Sequence, residues 1–430
     1  MAAMGSTDDD TRFHVRDGTD RTFYGQLVTR TLFSGGQLFD GTGADPRTAD
    51  VVIEDDRIVS VGAAGTGDAD ETIDLTGKTL LPGLFDCHVH VAFSGIDILN
   101  DLQTPFSYRF FLAAQNLEAT LRAGITSVRD AAGADAGVRL AVERGLVTGP
   151  RMQISIDMIS QTGGHNDEYF QCGLDVPMLG LEYPGKPRTI VDGPDEMRRK
   201  VRELIRAGAD VLKVASSGGV LSVGSDPRRA HFRPAELEVL VEEATAAGRY
   251  VMAHAQASDG IKNAVRAGVR SIEHGVFLDD EAIELMLDHG TWLVPTLIAP
   301  IWVLESVDAG AKISDASLRK AHEVVEIHAD SVGRAIEAGV KVAMGTDAGV
   351  GPHGDNLREL TLMAKAGMSP SAVLRATTLE AARLLGVDDR LGTIEEGKIA
   401  DLVVVDGDAY QLDDLGSRVT QVWKSGREVV

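Results

Sequence analysis

Residues 206–219 read RAGADVLKVASSGG. A helix-forming run ends at Gly208, and the apolar strand VLKVA follows after Ala209-Asp210. Glycine suits the position just past a helix, because it takes the left-handed backbone conformation that ends one. A strand that is apolar at nearly every residue is expected where both faces are buried in a parallel sheet. The unit recurs at Ala123-Gly124 before ITSVRD, Ala247-Gly248 before RYVMAH and Ala267-Gly268 before VRSIEH. It appears again at His289-Gly290 before TWLVPT and Ala338-Gly339 before VKVAMGTD. With LFDCHVHV (Leu84–Val91) and RMQISID (Arg151–Asp157) the series gives eight strands alternating with helices. That is the pattern of an α/β fold of the (β/α)8 TIM-barrel type.

Outward from this core the character changes. Asp50–Ile53 and Ile58–Val61 flank Glu54-Asp55-Asp56-Arg57 and read as a hairpin. Glu71–Leu75 and Thr79–Leu81 flank another turn, Thr76-Gly77-Lys78. Ala400–Val405, Val419–Trp423 and Glu428–Val430 have the same β character at the other end. A small β-sandwich domain built from both chain ends is expected, from residues 23–82 and 388–430, beside a barrel over 83–387. Residues 1–22 are polar and read as a disordered tail.

Of 430 residues, 42 are Lys or Arg and 65 are Asp or Glu, for a formal charge of −23. Nucleic acid and anionic membrane surfaces need a basic face, so neither is an expected partner. No run approaches the roughly 18 apolar residues that cross a bilayer. The opening MAAMGSTDDDTRFHVRDGTD has no apolar segment of the secretory type. Cys87 and Cys172 are too few for a disulfide framework or a Cys-rich zinc site. The expectation is a reduced, soluble, cytoplasmic protein.

Polar residues gather at the C-terminal ends of the strands: His88, His90, Asp130, Lys213, His254, His274 and Asp347. In a barrel this end carries the chemistry. Residues i and i+2 of a strand share a face, so His88 and His90 both point inward. Neutral imidazoles suit a divalent metal such as zinc. A buried histidine satisfied by hydrogen bonds is a common reading for one of His254 and His274 alone, but a poor one for four histidines at the same end of one barrel. Lys213, inside an apolar strand, must pair, lose its proton or be modified. It either pairs with Asp130 or, as a neutral amine, adds carbon dioxide to give a carbamate whose two oxygens bridge two metals. A carboxylate at Asp347 can bind a metal and carry a proton. His14, His231, His289, His322 and His328 read as tail, loop or helix residues in solvent.

Taken together, LLPGLFDCHVH at 80–90, Lys213, His254, His274, GTDAG at 345–349 and LGTIEEGKIADLVVVDGD at 391–408 resemble the amidohydrolase superfamily, in its binuclear-metal branch. QTGGH at 161–165, SSGGV at 216–220, SIEHG at 271–275 and PHGDN at 352–356 look like its prolidase-like Xaa-Pro and Xaa-Arg dipeptidases and ochratoxin-type amidohydrolases. The resemblance implies that His88, His90, carbamylated Lys213 and Asp347 surround one metal, and that Lys213, His254 and His274 hold a second. It implies attack of a metal-bridging hydroxide on an amide carbonyl polarised by His165, with Asp347 passing the proton to the leaving amine. The substrate would be a dipeptide or N-acyl amino acid, and the enzyme a homo-oligomer.

Gln256 stands where such relatives often carry a tyrosine that helps hold the substrate carboxylate. Backbone N–H groups at Gly219 and Val220, and His353 in PHGDN, are the other candidate substrate contacts. Phe106, Tyr108, Phe110 and Phe111 read as pocket wall or helix core, and Trp302 as core, pocket wall or, with Val303 and Leu304, part of a subunit interface. Two alternatives stand beside this reading: a hydrolase of a non-peptide amide, carbamate or ester, and a catalytically inactive binding barrel.

Overall fold

The computed structural model describes residues 29–62, 69–169, 172–177, 179 and 182–430. The expected tail, 1–22, lies outside the described residues. The chain is mixed α/β, and its central strands pair in parallel in two runs, one of three strands and one of five. β1 (Leu84–Val89) pairs with β2 (Ile125–Asp130), and β2 with β3 (Arg151–Ile154). The chain then breaks at Ser155–Asp157, where Ile156 takes a positive φ of 71°. It resumes as β4 (Met158–Ile159) beside β5 (Val211–Ala215). β6 (Tyr250–Ala255), β7 (Ser271–His274) and β8 (Trp292–Val294) follow in order.

The strand expected in VKVAMGTD is not a regular one. Its stretch makes isolated parallel bridges instead, Leu293 with Val342 and Val89 with Ala348. The Leu293 N–H donates to Lys341 O at 2.8 Å and the Cys87 N–H to Met344 O at 2.9 Å. The pairings thereby return to β1. A Cβ on Gly345 would lie 2.4 Å from Val294 Cγ1 and 3.0 Å from His88 Cβ. The backbone is pressed between both neighbours there, which a regular pleat would not allow.

The connecting helices end where the glycines foretold. Gly208, Gly268, Gly290 and Gly339 all take the left-handed C-cap conformation. Helix Pro194–Ala207 shows the local logic. Pro194 starts it, and Asp195 and Glu196 face its positive end. Met197, Val201 and Leu204 repeat at helical spacing and are fully buried. Truncating such a leucine to alanine typically removes about 2–5 kcal/mol.

The two chain ends build two further sheets. One runs Arg57–Gly62, Asp50–Glu54, Arg30–Ser34, Glu71–Asp74; the other Arg427–Glu428, Val419–Lys424, Leu402–Asp406, Lys78–Pro82, Gln37–Leu38, Arg47–Thr48. They share an apolar cluster in which Phe33 and Trp423 meet edge to face at 5.1 Å. The turn at Gly77 separates its strands rather than pairing them. Glu71–Asp74 joins Arg30–Ser34, and Lys78–Pro82 joins Leu402–Asp406. An Arg151–Asp401 ion pair ties β3 to this region.

Candidate metal centre

The parallel register brings the strand ends together. Ala215 lies opposite His254 and Ala255 opposite His274. β1 adds His88, with His90 just beyond it, and the Asp347 N–H donates to His88 O at 2.7 Å. His274 and Asp347 both hold positive φ, 74° and 66°. L-residues rarely adopt that region, and such strain concentrates at functional sites.

The rings of His88 and His274 are 5.1 Å apart, those of His254 and His274 4.6 Å, and those of His88 and His90 5.5 Å. One ligand atom each from His88, His274 and Asp347 lie within 4.8 Å of one another. Asp347 Oδ1 is 3.1 Å from His90 Nε2 and 3.4 Å from His88 Nε2. Lys213 Nζ is 3.3 Å from His88 Nε2.

Each of the four imidazoles has one nitrogen engaged elsewhere. His88 Nδ1–H donates to Glu273 Oε2 at 2.8 Å, His90 Nδ1–H to Ala132 O at 2.9 Å and His254 Nε2–H to Gly218 O at 3.0 Å. His274 Nδ1 meets Thr296 Oγ1 at 2.7 Å. The Nε2 atoms of His88 and His90 face the Asp347 carboxylate in a buried centre; burial works against a charge on His90, but that carboxylate outweighs it and raises the ring above its usual value. A cation held among these atoms takes the place of the proton they share, and anchoring of the far ring nitrogen is how metal-binding histidines are held. The donor set fits a divalent metal.

The local electrostatics agree. Burial, with help from the Lys213 ammonium, pushes His254 down to about 3. Burial and His254 hold His274 well below its usual range, so both rings are neutral. Burial works against the Asp347 carboxylate, but His88 and His90 outweigh it and hold the group well below its ordinary value. Lys213 is 1% exposed, and burial pushes its ammonium down to about 8 against the pull of Glu273 and Asp347. A pair between Lys213 and Asp130 is not formed. Asp130 accepts the N–H groups of Val91 at 2.9 Å and Ala134 at 3.1 Å, and burial raises it to about 6. Its task is to fix the turns that follow β1 and β2.

The centre opens into a cavity of about 400 Å³. His165, Gln256 and Val220 line it. The His165 ring stacks on His254 at 4.2 Å, and the buried Gln256 Oε1 has no hydrogen-bond partner among the described residues. Two candidate contacts fall elsewhere. His353 is not part of the lining; its ring nitrogens reach Thr120 Oγ1 at 3.1 Å and His90 O at 3.2 Å, behind His90. Gly219 gives its N–H to Ser225 Oγ at 3.3 Å and backs the His165 ring, where a Cβ would come within 2.2 Å of Cε1. Much of the remaining wall is apolar, with Phe93, Ile96, Leu179, Val276, Val303 and Val324 on it. The lysines on it, among the described residues, are Lys213 and Lys312, and no arginine lines it. Trp302 is core, at 1% exposure. Phe106 and Phe110 pack on Tyr183 at 5.1 and 5.8 Å, while Tyr108 and Phe111 face solvent.

Several supporting residues escape a reading of the sequence alone. Glu273 is fully buried between His88 and Arg129. Burial would raise it, but the Arg129 guanidinium and the His88 N–H hold it down at about 2. Asp86 accepts the His88 N–H at 3.0 Å, the Thr346 hydroxyl at 2.6 Å and the Asn356 amide at 2.8 Å. The i, i+2 rule that pairs His88 with His90 also reaches back to Asp86, so this signal was present. His231 and His328 are buried rather than solvated, and His328 Nε2–H donates to His274 O at 2.8 Å. The buried stripe Ala321, Val324, His328, Val332, Ala335 carries His328 at helical spacing.

A model of the amidohydrolase family matches residues 79–429. Ochratoxinase from Aspergillus niger is 35% identical over 426 residues, spanning 92% of this chain and 86% of that protein. A crystal structure of a Xaa-Pro dipeptidase with bound methionine superposes with a TM-score of 0.85 at 34% identity, over 93% of this chain and 99% of that one. A prolidase solved with N-methylphosphonate-L-proline gives 0.85 at 36% identity, over 93% and 99%.

Proposed function

The chain belongs to the amidohydrolase family, and from that premise we propose that it is a binuclear metal-dependent hydrolase cleaving the amide bond of dipeptides or N-acyl amino acids. One observation carries the proposal: four neutral or anchored imidazoles, a desolvated lysine and an ionised carboxylate meet at the head of one cavity. We read the two runs of parallel strands as a (β/α)8 barrel over 83–387, and the end-built sheets as a β-sandwich of 23–82 and 388–430.

His88, His90, Lys213 and Asp347 would hold one divalent ion, and Lys213, His254 and His274 the other; zinc is the expected metal. When bound, such ions lower the pKa of a water and polarise the carbonyl it attacks. Lys213 serves as a carbamate: the neutral Nζ bonds to the carbon of carbon dioxide and releases a proton. Asp347 takes the proton of the attacking water and passes it to the leaving nitrogen, a task suited to a carboxylate held ionised. His165, neutral because burial and His254 hold it far below its usual value, donates an Nε2–H to the developing oxyanion. The apolar wall takes a hydrophobic substrate side chain and keeps bulk water out. We place the enzyme in the cytoplasm as a homo-oligomer, with the exposed Tyr108 and Phe111 as candidate contact residues.

The same wall, with no arginine on it among the described residues, favours a second reading: a non-peptide amide, carbamate or ester of apolar character. Mass-spectrometric product analysis separates the two. Metal-replete protein is offered Xaa-Pro, Xaa-Arg and apolar dipeptides, N-acyl amino acids, carbamates and esters. Free amino acid released from the peptides or acyl amino acids supports the first reading. Turnover of carbamates or esters alone replaces it with the second.

A further inference from the structure

We propose that Ser222 and Ser225 form a hydroxyl relay that fixes His165 in the tautomer protonated at Nε2, which makes both serines positioning residues for that ring. For its catalytic consequence the inference rests on the role given to His165 above; for the tautomer it does not.

Three contacts carry it. The Gly219 N–H meets Ser225 Oγ at 3.3 Å, Ser225 Oγ meets Ser222 Oγ in a short contact, and Ser222 Oγ meets His165 Nδ1 at 2.8 Å. A backbone N–H can only donate, so Ser225 is an acceptor at that end. A hydroxyl has one proton to give. Among the described residues the Ser225 hydroxyl has no acceptor other than Ser222, and Ser222 none other than Ser225 and His165. If Ser222 gave its proton to Ser225, the buried Ser225 hydroxyl would have nowhere to donate. The arrangement that satisfies every group runs one way: Gly219 N–H to Ser225, Ser225 O–H to Ser222, Ser222 O–H to His165 Nδ1. Nδ1 is then an acceptor, and the ring proton sits on Nε2. No hydrogen bond to His165 Nε2 is found among the described residues, and the ring lines the cavity.

The relay is held as a unit. Lys320 Nζ donates to the backbone oxygens of Gly219 at 3.0 Å, Ser222 at 2.6 Å and Ser225 at 2.9 Å. One ammonium therefore clamps the three residues of the relay's loop. The ring is clamped as well, between the Gly219 backbone and the His254 ring, whose planes differ by 25°. A histidine locked on both faces cannot turn over to exchange its nitrogens, so the tautomer must be set through Nδ1.

The test uses zinc-loaded, full-length enzyme labelled with nitrogen-15 histidine. Magic-angle-spinning NMR reads the protonation of each ring nitrogen, and a His165→Asn sample assigns the ring. The wild type is expected to show His165 protonated at Nε2 and bare at Nδ1. Ser222→Ala should mix the two tautomers and lower kcat roughly ten- to a hundred-fold, with KM within about twofold and metal content unchanged. Ser222→Thr, which keeps the hydroxyl, should restore both spectrum and kcat. Ser225→Ala leaves the Ser222–His165 contact in place and should still mix the tautomers, which decides the matter if Ser222→Ala does not fold. A wild-type ring protonated at Nδ1, or an unmixed spectrum in both alanine variants, overturns the relay. An Nε2–H ring in an enzyme that cleaves no amide supports the relay and overturns the functional reading instead.

Discussion

Glu273→Gln is the most informative single change, because it keeps the side chain's shape and removes one charge. Glu273 and Arg129 are both fully buried. Arg129 donates to Glu273 Oε1 at 2.9 Å and Oε2 at 3.1 Å, to Cys87 O at 2.7 Å and to Ser271 Oγ at 3.1 Å. Glu273 also receives the His88 Nδ1–H and the Ser271 hydroxyl, the latter at 2.5 Å. A glutamine has one acceptor oxygen for three incoming donors, and its own NH2 must face one of them. The guanidinium is left buried without its counter-charge, a situation that typically destabilises by about 3–5 kcal/mol. His88 loses the carboxylate that fixes its tautomer, and loss of such an outer partner commonly weakens metal binding roughly 10–100-fold. Two assays read these separately: the urea midpoint at constant slope, and metal content after dialysis against buffered zinc. Adding Arg129→Met removes the stranded charge, so the double variant should recover part of the stability but none of the metal affinity. A Glu273→Gln protein that loses less than about 1 kcal/mol and holds metal like the wild type would refute the reasoning.

Lys213→Ala should lose metal and activity together, with small carboxylates such as acetate or propionate restoring part of both; full activity without them would remove the carbamate. Asp347→Asn should fold normally, by circular dichroism and urea midpoint, yet turn over at least about 100-fold more slowly; normal turnover would rule out its proton role. Gly219→Ala puts a methyl within 2.2 Å of the His165 ring, so kcat should fall about tenfold or more while metal content holds, and unchanged kinetics would show that the ring's seat is loose. Gln256→Tyr should change the ranking of substrates more than it changes metal content, and an identical substrate profile would take Gln256 out of the pocket.

What the sequence disclosed, and what it hid, follows from the range of the interactions. The helix-ending glycines act within one turn, so Gly208, Gly268, Gly290 and Gly339 could be read directly. His88, Lys213, His254 and His274 stood out because each interrupts an apolar strand at the same end. The missed parts are set by groups far apart in sequence. Glu273 looks like an ordinary strand residue until Arg129 and His88 are brought beside it. The irregular Lys341–Ala348 stretch reads as a strand by pattern, and only the crowding at Gly345 breaks it. His353 carried the right residue type in a family-like motif, yet its ring is spent behind His90. His328 reads as a solvated helix histidine by residue type, whereas its spacing within the stripe Ala321, Val324, His328, Val332, Ala335 buries it.

Two metal ions at this centre would make the chain an amide hydrolase. The decisive measurement is titration of metal-free enzyme with zinc, with bound metal per chain and turnover of a cleaved dipeptide or N-acyl amino acid followed on the same samples. Two ions should bind per chain, with activity complete only when the second is bound. Full activity with one ion or none, or two tightly bound ions and no amide turnover across the substrate panel, would contradict this assignment.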